Sequence, residues 1–175
     1  MGRLQAAAIV AGAVAFLALV VVLSREKSKP EAELPAEAPA FTLDDAEGRT
    51  VALAGHRGRT VLLHFWATWC PPCVAESPEL EALYRALGPQ GLVLLAVSVD
   101  NDWGPVRRFV AQHGVTYPVL LDPQAEVAHR YGTYKYPESY LVGGNGRVLR
   151  RWVGPVSWSD PAVRSTLLAA LPHPV

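Results

Sequence analysis

The chain opens on an apolar run, passes through a polar stretch rich in proline, and then alternates apolar and polar segments to its end. Residues 4–23 are apolar or small except for Gln5, with Gly12 the sole glycine. As a helix this run would extend about 30 Å at 1.5 Å per residue, the thickness of a bilayer's hydrocarbon core. It predicts a membrane anchor over 1–23. A cleavable signal peptide and a buried globular helix are the alternatives. The run is longer than the usual apolar core of about 7–15 residues in a signal peptide. The small-x-small site Ala36-Glu37-Ala38 lies far beyond its end. A globular helix would need a polar face, which this run lacks. Residues 24–40 place Pro30, Pro35 and Pro39 among Glu, Ala and Lys, and predict an extended linker. Residues 41–172 predict the globular domain.

Within that domain, 41–44 and 49–52 flank Asp45-Ala-Glu-Gly48 and predict a hairpin. Residues 60–66 form an apolar strand that runs into Ala67-Thr-Trp-Cys-Pro-Pro-Cys73. Val74, Leu80, Leu83, Tyr84 and Leu87 follow at helical spacing, and Gly88-Pro89 ends the helix. Residues 92–99 are continuously apolar, as in a parallel strand buried on both faces. A helix is expected over 105–113, with Pro105 at its first position. A short strand over 117–121 and a short helix over 124–131 come next. Two strands, 138–142 and 147–153, surround the hairpin signal Gly143-Gly-Asn-Gly146. An amphipathic helix over 160–171 closes the chain. Parallel βαβ units followed by an antiparallel hairpin and a helix predict a three-layer α/β sandwich with a mixed central sheet.

Composition narrows the chemistry. Sixteen basic and sixteen acidic residues cancel, so no basic excess points to nucleic acid. Two cysteines exclude a multi-bridge disulfide scaffold and a four-cysteine zinc site. Charge also bears on orientation. Arg3 precedes the apolar run, whereas Arg25, Lys27 and Lys29 follow it, which by the positive-inside count puts the domain in the cytoplasm.

The two cysteines are Cys70 and Cys73, at the expected strand-to-helix turn. Residues three apart at a helix start share a face, and their Cα atoms can reach the roughly 4.4–6.8 Å that a disulfide needs. Pro71 and Pro72 fit the first helical turn without loss of a hydrogen bond. Cys70 then sits where unpaired N–H groups and the helix dipole stabilise a thiolate. It is the expected attacking thiol, with Cys73 the more shielded resolving thiol. A structural bridge is the first alternative, but closing so short a loop contributes only about 2 kcal/mol. A metal site is the second, and would have to recruit His64, His113 or His129, none at a spacing that forces them together.

The segment Phe65-Trp-Ala-Thr-Trp-Cys-Pro-Pro-Cys-Val-Ala-Glu-Ser-Pro78 resembles the active site of the TlpA/ResA/DsbE (CcmG)-like family of membrane-anchored, thioredoxin-like thiol–disulfide oxidoreductases. Residues 120–132 are similar to that family's insertion, and Tyr136-Pro-Glu-Ser-Tyr-Leu-Val142 to its cis-proline loop. The resemblance covers about residues 41–171. It implies a thioredoxin-like fold and a domain outside the cytoplasm, against the charge count. It also implies a protein-disulfide reductase whose clients are the haem-attachment cysteines of apocytochromes c, fed by a membrane thiol reductase. The redox group is the Cys70–Cys73 pair, and no dissociable cofactor is required.

By position, Pro137 would be the cis-proline facing the disulfide, turning the Tyr136 backbone toward an extended client. A trans proline opening an edge strand is the plain alternative. Glu76, three residues after Cys73, matches an acidic residue that can take the Cys73 proton; the alternative is a solvated glutamate favoured by the helix dipole. Glu138 matches a second acidic position beside the client, and Trp69 is expected to shape the docking surface. Pro78 matches a helix-kinking proline. The chain departs from the family in its Pro-Pro pair, in the bulk of Tyr136 and in Gly143-Gly144. A general thiol oxidase or isomerase, and a copper-delivery module with the same fold, are the other functions weighed. The latter calls for wider cysteine spacing and a dedicated histidine.

Overall fold

A computed structural model describes residues 36–172. The chain divides into two units at Glu33/Leu34, and everything below concerns the second. Among the described residues no helix is long and apolar enough to cross a membrane. The apolar run of the anchor expected over 1–23 and most of the linker lie outside them.

The elements run β1 (Thr42–Asp44), β2 (Thr50–Ala52), β3 (Thr60–Trp66), α1 (Pro71–Leu87), β4 (Leu92–Ser98), α2 (Trp103–His113), β5 (Val119–Leu121), α3 (Glu126–Arg130), β6 (Glu138–Val142), β7 (Val148–Val153) and α4 (Pro161–Ala170). The main sheet is ordered β5-β4-β3-β6-β7. β3 and β4 pair in parallel, as do β4 and β5, whereas β6 runs antiparallel to both β3 and β7. The sheet is therefore mixed. β1 and β2 form a separate hairpin, which touches the β5 edge through a bridge from Asp45 to Leu120.

The two central strands explain the continuous apolar runs. Every residue of β3 and β4 is buried, because helices cover both faces of the sheet. Crossovers β3–α1–β4 and β4–α2–β5 step the same way across the sheet. Right-handed connections then put both helices on one face. His64 and Trp66 point to that face, where they meet Trp158 and Phe109. α4 joins them there, its Ala170 carbonyl accepting from the Thr60 hydroxyl. On the opposite face Phe65 and Tyr140 pack against Tyr131 beside α3.

Several boundaries differ from the sequence reading, each for a local reason. α2 starts at Trp103 rather than at Pro105, because the Asp102 side chain caps it through the Gly104 N–H at 2.7 Å. Pro105 is then its third residue. β5 is shorter than 117–121, its pairing with β4 beginning at Val119, just after Pro118, which has no N–H to give a ladder. α3 begins only at Glu126, after Ala125 adopts a left-handed φ of 53°.

Candidate active site

The site forms where β3 ends and α1 begins. β3 delivers the chain to the carboxyl edge of the sheet, and residues 67–69 turn it into the helix. Asp100, 2 % exposed at the end of β4, clamps that turn. Its carboxylate accepts from the Thr68 N–H at 2.9 Å, the Thr68 hydroxyl at 2.6 Å and the Ser98 hydroxyl at 2.7 Å. Cys70 is the N-cap residue of α1, with Pro71 and Pro72 in the first turn. Its sulfur accepts from the Cys73 N–H at 3.4 Å, so one orphan donor of the helix end points at the thiol. Cys70 and Cys73 are joined as a disulfide with Cα atoms 5.3 Å apart. Cys70 is 5 % exposed and Cys73 1 %, which leaves Cys70 the more accessible sulfur.

The Tyr136–Pro137 bond is cis, in the loop leading into β6. Trp69 and Tyr136 meet edge to face with centroids 5.9 Å apart. Trp69 is 63 % exposed, so the pair forms an aromatic rim next to Cys70.

Glu76 lies one turn beyond Cys73 and is buried, not solvated. Its Oε2 accepts from the Val156 N–H at 2.9 Å, and its Oε1 lies 3.4 Å from His64 Nε2. The Trp158 indole N–H faces the same carboxyl without hydrogen-bond geometry, and Oε1 has no well-formed partner. Burial pushes the carboxyl up to about 7, with the nearby Glu79 charge adding to it; the Val156 N–H and the Trp158 indole pull the other way. His64 is wholly buried, and burial pushes it down to about 3. The His64–Glu76 contact is therefore no ion pair: in the neutral range the imidazole is uncharged and the carboxyl is near its midpoint.

Glu138, expected beside the client, is buried. It is 1 % exposed, and its carboxylate accepts from Arg151 and from the Tyr140 hydroxyl at 2.8 Å. It therefore ties β6 to β7 beneath the surface, on the sheet face that carries Tyr140. The histidines weighed as metal ligands are otherwise engaged: His113 stacks on Phe109 and His129 on Tyr134. Among the described residues no three acidic, cysteine or histidine side chains gather as a metal site.

Sequence reasoning missed Asp100, Ser139, Trp158 and the real setting of His64. Two of these carried a signal: His64 is the one ionisable residue in an apolar strand, and Asp100 follows an apolar run directly. Ser139 and Trp158 reach the site only through folding.

Comparisons with known proteins agree with this geometry. Residues 35–151 match the AhpC/TSA family model. A thiol-disulfide oxidoreductase ResA from Geobacillus thermodenitrificans is 38% identical over 123 residues, covering 70% of this chain and 71% of the relative. A Bacillus cereus ResA is 34% identical over 146 residues, 83% of either chain. Among solved structures, a DsbE-type thiol:disulfide interchange protein of Chlorobium tepidum superposes with a TM-score of 0.74 at 32% identity. That match covers 80% of this chain and 99% of the other. StoA of Bacillus subtilis gives 0.65 at 26% identity, covering 76% and 99%. By the match over residues 35–151 and the identity with these relatives, the chain belongs to the AhpC/TSA family as a thiol–disulfide oxidoreductase of the ResA/DsbE type.

Proposed function

We propose that this oxidoreductase works as a membrane-anchored reductase of client disulfides outside the cytoplasm, with the haem-attachment cysteines of apocytochromes c as its clients. The observation that carries the reading is the Cys70–Cys73 pair at the N-terminus of α1, flanked by the cis Tyr136–Pro137 bond and backed by buried Glu76. A membrane thiol reductase would supply two electrons and reduce the pair. The helix N-terminus favours the Cys70 thiolate, which attacks one client sulfur, forms a mixed disulfide and releases the other client sulfur as thiolate. Glu76 takes the proton of Cys73. The Cys73 sulfur then bonds to Cys70 Sγ, and the second client sulfur leaves with the electron pair. The Tyr136 backbone and the aromatic rim of Trp69 and Tyr136 would hold the client as an extended strand. No dissociable cofactor takes part. The apolar run over 4–23 supports an anchor, and the relatives named ResA and DsbE support the redox chemistry.

The reduction potential of the pair tests the direction of electron flow. Trp69 adjoins Cys70, so its fluorescence in graded thiol/disulfide buffers reports the ratio of oxidised to reduced protein. A value near about −270 mV fits a reductant that depends on a membrane electron supply. A value near about −120 mV would overturn that direction and make the protein an oxidant.

A further inference from the structure

A buried polar chain leads from Glu76 into the sheet, and its middle member is a histidine. His64 projects from β3 at 2 % exposure. Its Nδ1 lies 2.9 Å from Ser139 Oγ on β6, and its Nε2 lies 3.4 Å from Glu76 Oε1 on α1. Trp158 packs edge to face on the imidazole, with centroids 6.3 Å apart, and holds the ring in this plane. A neutral imidazole has one N–H and one lone pair, and a hydroxyl can donate or accept. Two proton arrangements of opposite direction are therefore open to the same three side chains: the His64–Ser139 hydrogen bond already stands, and the His64–Glu76 contact has to close from 3.4 Å to complete either one. With Glu76 protonated, its O–H donates to Nε2, and Nδ1–H donates to Ser139. With Glu76 ionised, Nε2–H donates to the carboxylate, and the Ser139 hydroxyl donates to Nδ1.

We propose that His64 is a positioning residue whose tautomer follows the proton on Glu76, so that the carboxyl keeps a partner and one orientation in both charge states. The inference rests on Glu76 as the group that takes the Cys73 proton. During resolution Cys73 gives its proton to Glu76 and its sulfur bonds to Cys70 Sγ. The bond from Cys70 to the client breaks, and the client thiolate takes the electron pair. Once Glu76 holds that proton the favoured form of His64 is Nδ1–H: the ring gives its Nε2 proton to water and takes one from water at Nδ1, so its own proton count is unchanged.

The surroundings favour such a switch over a fixed ion pair. Facing the chain are Glu79 from α1, Ser139 from β6, Tyr117 ahead of β5, and the Val156 N–H and Trp158 indole after β7. None of these groups is a cation, so nothing fixed holds the carboxyl ionised. Burial disfavours an imidazolium at His64, which leaves tautomer exchange as the way for the ring to answer a change of charge at Glu76. Without the ring, Oε1 would lose the polar neighbour that lies 3.4 Å away, in either charge state.

The test is ¹⁵N and ¹³C NMR of the reduced full-length chain in detergent micelles from pH 5 to pH 9. The His64 ring is identified by the resonances that Ser139→Ala shifts. The expected result is a neutral imidazole throughout, changing from Nδ1–H to Nε2–H with the same midpoint as the Glu76 carboxyl. Glu76→Gln should hold one tautomer across the range. A single tautomer at every pH in the unmodified protein, an imidazolium appearing above pH 5, or a tautomer change that persists in Glu76→Gln would each overturn the inference. The pH profile of client disulfide reduction separates it from the role given to Glu76. A coupled tautomer with a profile that Glu76→Gln leaves unmoved removes Glu76 as proton acceptor and keeps the switch. A fixed tautomer with an altered profile does the reverse.

Discussion

Glu76 and His64 meet as buried neighbours, and their effects on stability run in opposite directions with pH. A carboxyl pushed up from 4.5 to about 7 holds its proton more tightly folded than unfolded. Its contribution is complete below about pH 4.5 and is lost as pH rises toward 7, by roughly 3 kcal/mol. A histidine pushed down from 6.5 to about 3 resists its proton when folded. Its contribution is complete above about pH 6.5 and is lost as pH falls toward 3. The two slopes oppose each other between pH 4.5 and 6.5, so denaturant titrations across pH should find a plateau there and a fall on the acid side. Glu76→Gln should turn that plateau into a rise, so that stability climbs from about pH 3 to 6.5; an unchanged curve would show that this carboxyl titrates normally. At the thiols, Cys73→Ser should stop exchange at the mixed disulfide. Non-reducing gels should then show a covalent adduct between Cys70 and the client, whereas Cys70→Ser gives none.

At the scale of elements, two buried carboxylates fix how strands meet the site. Asp100 receives three donors from Thr68 and Ser98, and so holds the β3–α1 turn against the end of β4. Asp100→Ala leaves those donors unmet and should cost about 2–3 kcal/mol in urea unfolding. It should also slow client reduction, because the turn carries Trp69 and Cys70. Glu138 does the same for β6 and β7 through Arg151 and Tyr140. Arg151→Met strands its charge and should cost about 3 kcal/mol, with little effect on the rate of exchange once stability is allowed for. A large rate effect from Arg151→Met would return Glu138 to the client-facing role that the motif alone implied.

Across the whole molecule, stability resides in the sheet and the helices on its faces rather than in the disulfide. Phe65, Leu62, Leu63, Leu94, Leu95 and Tyr140 are almost wholly enclosed. The Cys70–Cys73 bridge closes a short loop at the edge of that core. Reduction, or replacement of both cysteines by Ser, should lower unfolding free energy by only about 2 kcal/mol. Calorimetry of the oxidised and reduced forms measures this directly. A domain that collapses on reduction would instead make the bridge structural.

What the sequence determined by itself is whatever local pattern controls. The fully apolar runs in β3 and β4 announce strands covered on both faces, and Cys-Pro-Pro-Cys after such a strand announces a thiol pair at a helix start. Helix and strand boundaries followed to within a few residues, shifting where one side chain such as Asp102 supplied a cap. Tertiary structure alone decided the surroundings of each charge. Glu76 and Glu138 carry the same carboxyl and both match acidic positions of the family. Folding gives Glu76 a neutral histidine, a lone N–H donor and burial that raises its proton affinity, whereas Glu138 receives an arginine. The partners come from residues up to eighty positions away, such as Val156 for Glu76. Spacing along a chain holds no record of such meetings, because they depend on which strand lies beside which and which face each side chain takes.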